Sequence, residues 1–186
     1  MANPEHVAFV KHGTESLNQW RIKNPNVKLD LSGADLSDVD LSFADLNFAD
    51  LRHVDFSASI LRDVTFIGAD LRFTYLGTAD LHAADLHAAD VSFADFRYVN
   101  LKDADMRRSV LLAVSLANSE NLTMEQLSGD HQPYLCNVIL PSNISTIDPN
   151  RDCDRLPQLL SDRYGYALED AQRIVEDAKS KTLDSI

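Results

Sequence analysis

The chain of 186 residues contains few of the residues that mark several common protein classes: it has two cysteines, six glycines and no long apolar run. No apolar stretch approaches the roughly 18 residues that a membrane-spanning helix needs, so we expect no membrane segment. The residues from Met1 to His6 lack the charged and apolar regions of a signal peptide. Cys136 and Cys153 have no zinc-binding spacing and are too few for a disulfide scaffold. These absences favour a reduced, cytoplasmic location.

Basic residues are also in short supply, since the formal net charge is −12. Residues 31–118 contain fourteen Asp and seven basic residues. An acidic surface repels the phosphates of nucleic acids and of anionic membranes. We therefore expect neither direct nucleic-acid binding nor membrane binding.

One pattern dominates what is present: between Leu31 and Leu116 a large apolar residue returns at every fifth position, eighteen times without a break. A small residue (Ala, Val, Ser or Thr) stands two places before it, and Asp stands directly before it in most repeats. Five residues advance an α-helix by about 140°, so the apolar set would spread around the whole cylinder. In a strand, successive members would alternate between faces. The period fits a chain that turns a corner once per pentad, which is a solenoid.

Read as A-D-L-x-x, for example Ala34-Asp35-Leu36 and Ala84-Asp85-Leu86, the segment resembles the pentapeptide repeat proteins of bacteria, in particular cyanobacteria. The resemblance implies an all-β fold, a right-handed quadrilateral parallel β-helix with four pentapeptides per coil. The Asp before each Leu is expected to hydrogen-bond the backbone of the turn that follows it.

The flanks divide the chain into four parts. Residues 1–30 predict an N-terminal capping helix over about 3–23, with Asn3 as N-cap and Pro4 in its first turn. The repeats occupy 31–118, and 119–150 predict a closing helix opened by Thr123 and an irregular strap with a short strand at 134–140. Residues 151–186 predict two helices, over about 157–164 and 167–179. These helices are either a second lid on the repeats, which we favour because solenoids need capped ends, or a docking element.

The sequence contains no residue pattern typical of a catalytic, metal-binding or cofactor-binding site. We find no phosphate-binding glycine loop, nucleophile elbow or Cys–His pair. His82 and His87 are five residues apart, which places them on adjacent sides of a coil. Calcium needs six to eight oxygen ligands, and calcium-binding β-rolls use glycine-rich nonapeptides rather than pentads. We expect no enzyme activity, no metal and no cofactor.

Two outward features remain as candidate sites. If coils hold four pentads, residues twenty apart stack in columns, so that Asp50, Asp70 and Asp90 form an acidic ladder. Aromatic residues occupy outward positions, and a partner-binding patch is possible because exposed aromatics concentrate at interfaces. Its members are Phe73 and Phe93, which should stack, with Tyr75 and Tyr98 close by, and Phe43 and Phe48.

We therefore predict a non-enzymatic protein–protein interaction scaffold with an unknown protein partner, for which the resemblance suggests a regulatory role. It would be a monomer, or a dimer formed through one end of the solenoid. The alternative is a DNA mimic that binds DNA gyrase or another topoisomerase, because the resemblance includes quinolone-resistance proteins of that kind. The seven basic residues among the fourteen Asp weigh against mimicry.

Overall fold

A computed structural model describes residues 2–181. The helices are α1 (Pro4–Lys11), α2 (Thr14–Lys23), α3 (Leu156–Tyr164) and α4 (Leu168–Lys179), with one 3₁₀ turn at Glu125–Leu127. Two strands, β1 (Val110–Ser115) and β2 (Tyr134–Ile139), pair in parallel, with Val110 opposite Tyr134. Residues 182–186 of the predicted C-terminal part lie outside the described range.

Between α2 and β1 the chain forms isolated parallel bridges at every fifth residue. Each bridge joins residues twenty positions apart, from Asp30 with Asp50 to Asn100 with Glu120. Twenty residues therefore bring the chain back beside its own start, and four pentads make one coil. This spacing, which the apolar pattern alone does not supply, places the outward residues in columns.

The repeat pattern explains the coil's interior. The large apolar residue of every pentad is buried, and so is the small residue two places before it in all but one described repeat, where Val39 is partly buried. Burial of each large side chain contributes roughly 1.5–3 kcal/mol, which makes this column the main source of stability. The predicted role of Asp is confirmed: Oδ1 of Asp35, for example, accepts the backbone N–H of Ser37 at 3.1 Å.

The N-terminal segment forms two helices where the sequence predicted one. Gly13 separates them with a φ of +98°, a conformation that side chains other than glycine rarely adopt. The predicted cap is confirmed, because Asn3 accepts the N–H of Glu5 at 3.0 Å. Val10 and Leu17 join the apolar core of the repeats. The first coil is thereby covered.

The same helices hydrogen-bond the exposed backbone edge of the first coil. The Asn18 side chain donates to the carbonyl of Phe43 and accepts the N–H of Asp45, at 2.9 and 2.8 Å. Arg21 donates to the carbonyl of Asn47 at 2.7 Å. An uncovered edge would be a template for pairing with another chain, so these contacts remove that hazard.

The opposite end is covered by the segment that follows the repeats, residues 119–147. Its Leu122, Leu127 and Ile144 are buried in the repeat core. The side chain of Gln126 donates to the carbonyls of Leu101 and Ala104, at 2.8 and 2.9 Å.

The helices α3 and α4 occupy a different place from the lid that the sequence favoured. They pack against the outer face of β1 and β2, in a second apolar cluster that contains Leu112, Leu160 and Val175. Gly165 ends α3 with a φ of +71°, and its N–H donates to the carbonyl of Ser161. Side chains of α3 and of the connection to α4 reach the repeats, since Arg72 donates to the Tyr166 hydroxyl at 2.6 Å.

The two cysteines correct a prediction. Cys136 of β2 and Cys153, seventeen residues on, form a disulfide, whereas the sequence indicated reduced thiols. After β2 the chain returns along the strand, where Asp152 exchanges backbone and side-chain hydrogen bonds with Leu135 at 3.1 Å. This return brings the two sulfurs together. The low number of cysteines excludes a disulfide-dense scaffold, but it does not exclude a single disulfide bond.

No helix within residues 2–181 combines the length and the apolar character that crossing a membrane requires.

Candidate functional site

Outward side chains at the corners of the coil share an uncommon backbone conformation. The third residue after the bridge position has a positive φ in every pentad from Gly33 to Ala113, whether or not it is glycine. Phe73 and Phe93 both have φ of +62°, and Tyr98 has +58°. This left-handed region directs their side chains away from the coil interior.

One corner column forms an aromatic ladder, which we define as His53, Phe73 and Phe93. The His53 and Phe73 rings are stacked with centroids 4.9 Å apart, and the Phe73 and Phe93 rings are stacked at the same distance. The interplanar angles are 6° and 7°. The spacing matches the strand separation of the bridged backbone beneath. Phe73 keeps 38% of its surface exposed, and Phe93 is half-buried.

His53 was absent from the predicted patch. His53 precedes Phe73 by twenty residues, so four pentads per coil would have predicted from the sequence that the two rings stack. The predicted patch contained only Phe and Tyr, although an imidazole ring can stack in the same way.

The other predicted aromatics are distributed over different sides. Tyr75 lines a surface depression together with Phe73, Phe93 and Arg97. Tyr98 lies five residues after Phe93 and therefore at the next corner of the coil. Phe43 occupies a third corner. Phe48, in a fourth, lies over Gly68, where an added Cβ would come within 2.8 Å of the ring. The structure therefore groups Phe73, Phe93 and Tyr75 but not the full set.

The predicted acidic ladder is present, because backbone β-bridges join Asp50 to Asp70 and Asp70 to Asp90. Each of these carboxylates either has a basic partner or is buried. Arg52 donates Nε and Nη2 to the two oxygens of Asp50, at 2.8 and 2.6 Å. Arg72 holds Asp70 in the same bidentate way. Burial raises the pKa of Asp50, but the hydrogen bonds and charge of Arg52 outweigh it and keep this pKa below its usual value. The ladder presents little uncompensated charge.

Asp90 is the exception within this column. Its side chain has no solvent exposure, and Oδ1 accepts the backbone N–H and the hydroxyl of Ser92. Oδ2 has no hydrogen-bond partner of acceptable geometry, although the Tyr164 hydroxyl is near and Nε of Arg72 lies 3.9 Å away. Burial raises the pKa of Asp90 above its usual value.

A cleft of about 360 Å³ runs between the aromatic ladder and α4. Phe73, Phe93 and Leu112 form its wall on the repeat side, with Asp90 on the same wall. Ile174 and Ala178 of α4 face them, and Lys181 closes the rim with its ammonium 4.6 Å from the centre of the Phe93 ring.

Metal-binding chemistry finds no support in residues 2–181, where no group of three or more His, Cys, Asp or Glu residues could hold an ion. His82 contacts the carbonyl of Lys102 and lies 4.0 Å from Asp103 rather than beside His87.

Comparison with known proteins agrees with the repeat pattern. The family model described as pentapeptide repeats matches residues 28–57, 59–92 and 76–112, in eight copies. No curated protein sequence matches the chain.

Among solved structures, the chain is similar to the pentapeptide repeat protein Rfr23 of the cyanobacterium Cyanothece 51142, with 23% identity and a TM-score of 0.36. The match covers 63% of this chain and 65% of Rfr23, just under two thirds of its length. It is also similar to alr5209, a pentapeptide repeat protein from Nostoc PCC 7120, with 26% identity and a TM-score of 0.37, over 69% of this chain and 95% of that one.

QnrB1, a plasmid-mediated fluoroquinolone resistance protein, is 18% identical with a TM-score of 0.29, over 76% of this chain and 71% of QnrB1. Superpositions at these scores support no argument about function.

Proposed function

Because the chain is a pentapeptide repeat protein, we propose that it is a non-enzymatic protein–protein interaction scaffold that binds a protein partner through the aromatic ladder. The observation that supports this most is the stack of His53, Phe73 and Phe93 on an outward corner. Aromatic rings supply large contact areas at little entropic cost, and they are enriched where interfaces derive most of their energy. Tyr75 extends the surface beside Phe73.

We infer that the scaffold is a right-handed quadrilateral β-helix. The twenty-residue spacing of the bridges supports four sides per coil, and the handedness comes from the family. A rigid coil suits a scaffold because the ladder is held by backbone hydrogen bonds between coils, such as that from Phe73 N–H to the Ser92 carbonyl at 3.1 Å. A partner would meet a surface that needs no reordering.

The experiment compares two double variants in a pull-down from a lysate of the native host. Phe73→Ser with Phe93→Ser should weaken capture of the partner by about thirtyfold or more, as truncation of central interface aromatics does. Phe43→Ser with Tyr98→Ser removes two exposed rings in the same backbone conformation at other corners, and should leave capture unchanged.

Circular dichroism of both variants checks the fold. Equal capture by the ladder variant and the control, with both folded, would refute the ladder as the binding surface.

DNA mimicry toward a topoisomerase is the alternative, and the geometry gives it less support. Two carboxylates of the acidic ladder are held bidentately by Arg52 and Arg72, and Asp90 is buried. Neither arrangement resembles the exposed, uncompensated charge of a phosphate backbone. Inhibition of gyrase supercoiling at micromolar protein would overturn this judgement.

The disulfide weighs against the cytoplasmic location that the sequence predicts. Disulfides persist in oxidising compartments and are rare where glutathione and thioredoxin keep thiols reduced. Cys136 is fully buried and Cys153 nearly so, and both lie beneath α3 and α4. The disulfide therefore favours an oxidising compartment over the cytoplasm.

A further inference from the structure

A polar cleft of about 510 Å³, which we call the arginine cleft, lies where α3 faces the segment that enters β2. Arg155 lines it at the start of α3 and Arg163 near the end of that helix, while Arg108 lines it from a corner of the coil. His131 and Tyr134 line the opposite side. Three guanidinium groups therefore share one cleft in a chain whose net charge is −12.

Arg108 and Arg163 differ from every other arginine of residues 2–181. The others each form an ion pair with an Asp. For Arg108 and Arg163 the same range contains no such partner, and their side chains donate to neutral acceptors. Although the chain has 29 acidic residues, the charges of these two arginines are therefore left for an external anion.

Backbone contacts hold the two cations close together. Nη1 of Arg163 donates to the carbonyl of Ala88 at 3.2 Å, and its Nη2 donates to the carbonyl of Arg108 at 3.4 Å. Ala88 and Arg108 are twenty residues apart and therefore follow each other in one corner column. The guanidinium of Arg163 thus lies directly beside the backbone of Arg108. Like charges at this range repel each other, and an anion between them would remove the repulsion.

The side chains at this end of the cleft have hydrogen-bond donors to offer. A guanidinium carries five N–H groups, and Arg108 directs Nε and Nη2 to a single acceptor, Nδ1 of His131, at 3.3 and 3.0 Å. Because Nδ1 accepts, the neutral imidazole of His131 carries its proton on Nε2, which is a further donor. A ligand that matches this end has several acceptors and a negative charge.

Two acids line the same cleft, but they do not neutralise Arg108 and Arg163. Asp152 is buried, and it is held by Arg151 at 3.2 Å and by Arg155 at 3.3 Å. The side chain of Asp130 is exposed and forms no ion pair within residues 2–181. The negative charge of the rest of the chain acts weakly here, since salt screens exposed charges beyond about 8 Å.

We propose that the arginine cleft binds a phosphate group, free or carried by a small organic molecule, through the guanidinium groups of Arg108 and Arg163. A phosphate ester has a charge of about −1.5 to −2 at pH 7, and the guanidinium fork matches its oxygens bidentately. The site is independent of the proposed partner surface, because the aromatic ladder occupies a different corner column.

The test titrates the full chain with phenyl phosphate, inorganic phosphate and benzoate at pH 7.5 and constant ionic strength. The amide signals of Arg108, His131 and Arg163 are followed by NMR. We expect saturable shifts with phenyl phosphate, and an affinity for benzoate about tenfold weaker because benzoate has one charge and two oxygens. Tighter binding of phenyl phosphate than of inorganic phosphate would assign the site to organic esters, and the reverse would assign it to the free anion.

Three variants locate the site. Arg108→Gln and Arg163→Gln should each weaken the binding of phenyl phosphate by about tenfold or more, since each removes hydrogen bonds between charged groups. Arg107→Gln is the matched control, because Arg107 is the neighbouring arginine in the chain but is held by Asp105, with Nε 2.9 Å from Oδ1. Its affinity should be unchanged.

The proposal is overturned if phenyl phosphate gives no saturable shifts, if benzoate binds as tightly, or if Arg107→Gln weakens binding as much as Arg108→Gln. Circular dichroism checks the fold of each variant. If Arg163→Gln does not fold, Arg108→Gln decides, because the Arg108 side chain is exposed. Retained affinity in that variant refutes the site, and loss with an intact fold supports it.

Discussion

At the scale of single residues, the corners of the coil are where this sequence departs most from ordinary backbone preferences. Each corner residue from Asp38 to Ala113 has φ between +53° and +64°, and only one of these residues, Gly68, is a glycine. A non-glycine residue in this region costs on the order of 1 kcal/mol. The hydrogen bonds between coils hold the strained corners in place.

Thr78 is the corner residue least suited to its conformation, because it is β-branched and has φ of +61°. We predict that Thr78→Asn raises the free energy of unfolding by about 0.5–1 kcal/mol, since Asn tolerates the left-handed region. Denaturant unfolding measures the change.

The control is Ser57→Asn, an exchange near a corner but outside the positive-φ positions. It should change the free energy of unfolding by less than about 0.5 kcal/mol, as surface substitutions usually do. An equal gain in both variants would show that Asn stabilises by some route other than its backbone preference.

At the scale of elements, the α3–α4 hairpin is attached to the rest of the fold by four kinds of contact. Its apolar faces cover the outer side of β1, the disulfide joins β2 to the residues before α3, and Arg163 donates to the carbonyl of Ala88 at 3.2 Å. The guanidinium of Arg72 also lies 5.0 Å from the centre of the Tyr164 ring. The hairpin is the part of the chain whose attachment depends on oxidation state.

We predict that Cys136→Ser with Cys153→Ser lowers the stability of the segment between β2 and α3 by about 3 kcal/mol, the entropy that a disulfide closing a loop of this size removes from the unfolded chain. The α3–α4 hairpin follows directly on this segment, so its attachment should loosen as well. Hydrogen exchange measures the effect amide by amide. Amides of α3 and α4 should exchange faster, while those of the central coils stay protected.

Treatment of the unmodified chain with dithiothreitol should reproduce that pattern. Unchanged exchange in α3 and α4 after complete reduction would show that the apolar contacts suffice without the disulfide.

At the scale of the whole molecule, the two ends of the coil determine whether the chain stays monomeric. An open coil end exposes unpaired backbone groups and an apolar core, and both invite end-to-end association. Here α1 and α2 cover the first coil, and residues 119–147 cover the last. Both covers contribute buried leucines and side-chain hydrogen bonds to the backbone edge.

We predict that Leu17→Asp releases the N-terminal cover and produces dimers or larger species, because it places a charge in the apolar core. Ile22→Asp is the control on the same helix, since Leu17 has no exposed surface and Ile22 is 79% exposed. Size-exclusion chromatography with light scattering measures the mass. A monomeric Leu17→Asp variant that remains folded would contradict this role of the cover.

Much of this architecture is predictable from the sequence because it depends on local pattern. The five-residue period predicts which side chains are buried, and the Asp at the bridge position predicts the hydrogen bond to the next turn. The stack of Phe73 and Phe93 follows once a coil is known to hold twenty residues. That number required family knowledge, since the apolar period is the same for any number of sides.

The features that escaped prediction depend on contacts between distant segments. Nothing in the spacing of Cys136 and Cys153 indicates that the chain returns along β2. The amphipathic pattern of α4 shows that one face is buried, but it does not identify the surface that covers this face. The cleft exists only because α4 lies beside the aromatic ladder, so no local pattern could indicate it.

The bridge spacing has a consequence for how such a surface can change. The interior repeats every five residues, whereas an outward column repeats every twenty. Insertion of one pentad between Phe73 and Ala88 would keep every leucine inside, yet it would carry Phe93 around to the next corner and put Ala88 beneath Phe73. Insertion of twenty residues would instead add one coil and keep Phe93 at the same corner as Phe73, and an aromatic residue at the new corner would lengthen the stack by one ring. The core thus has a period of five residues and the surface columns a period of twenty. A change in length that leaves the core intact can therefore disrupt a binding surface on the outside of the coil.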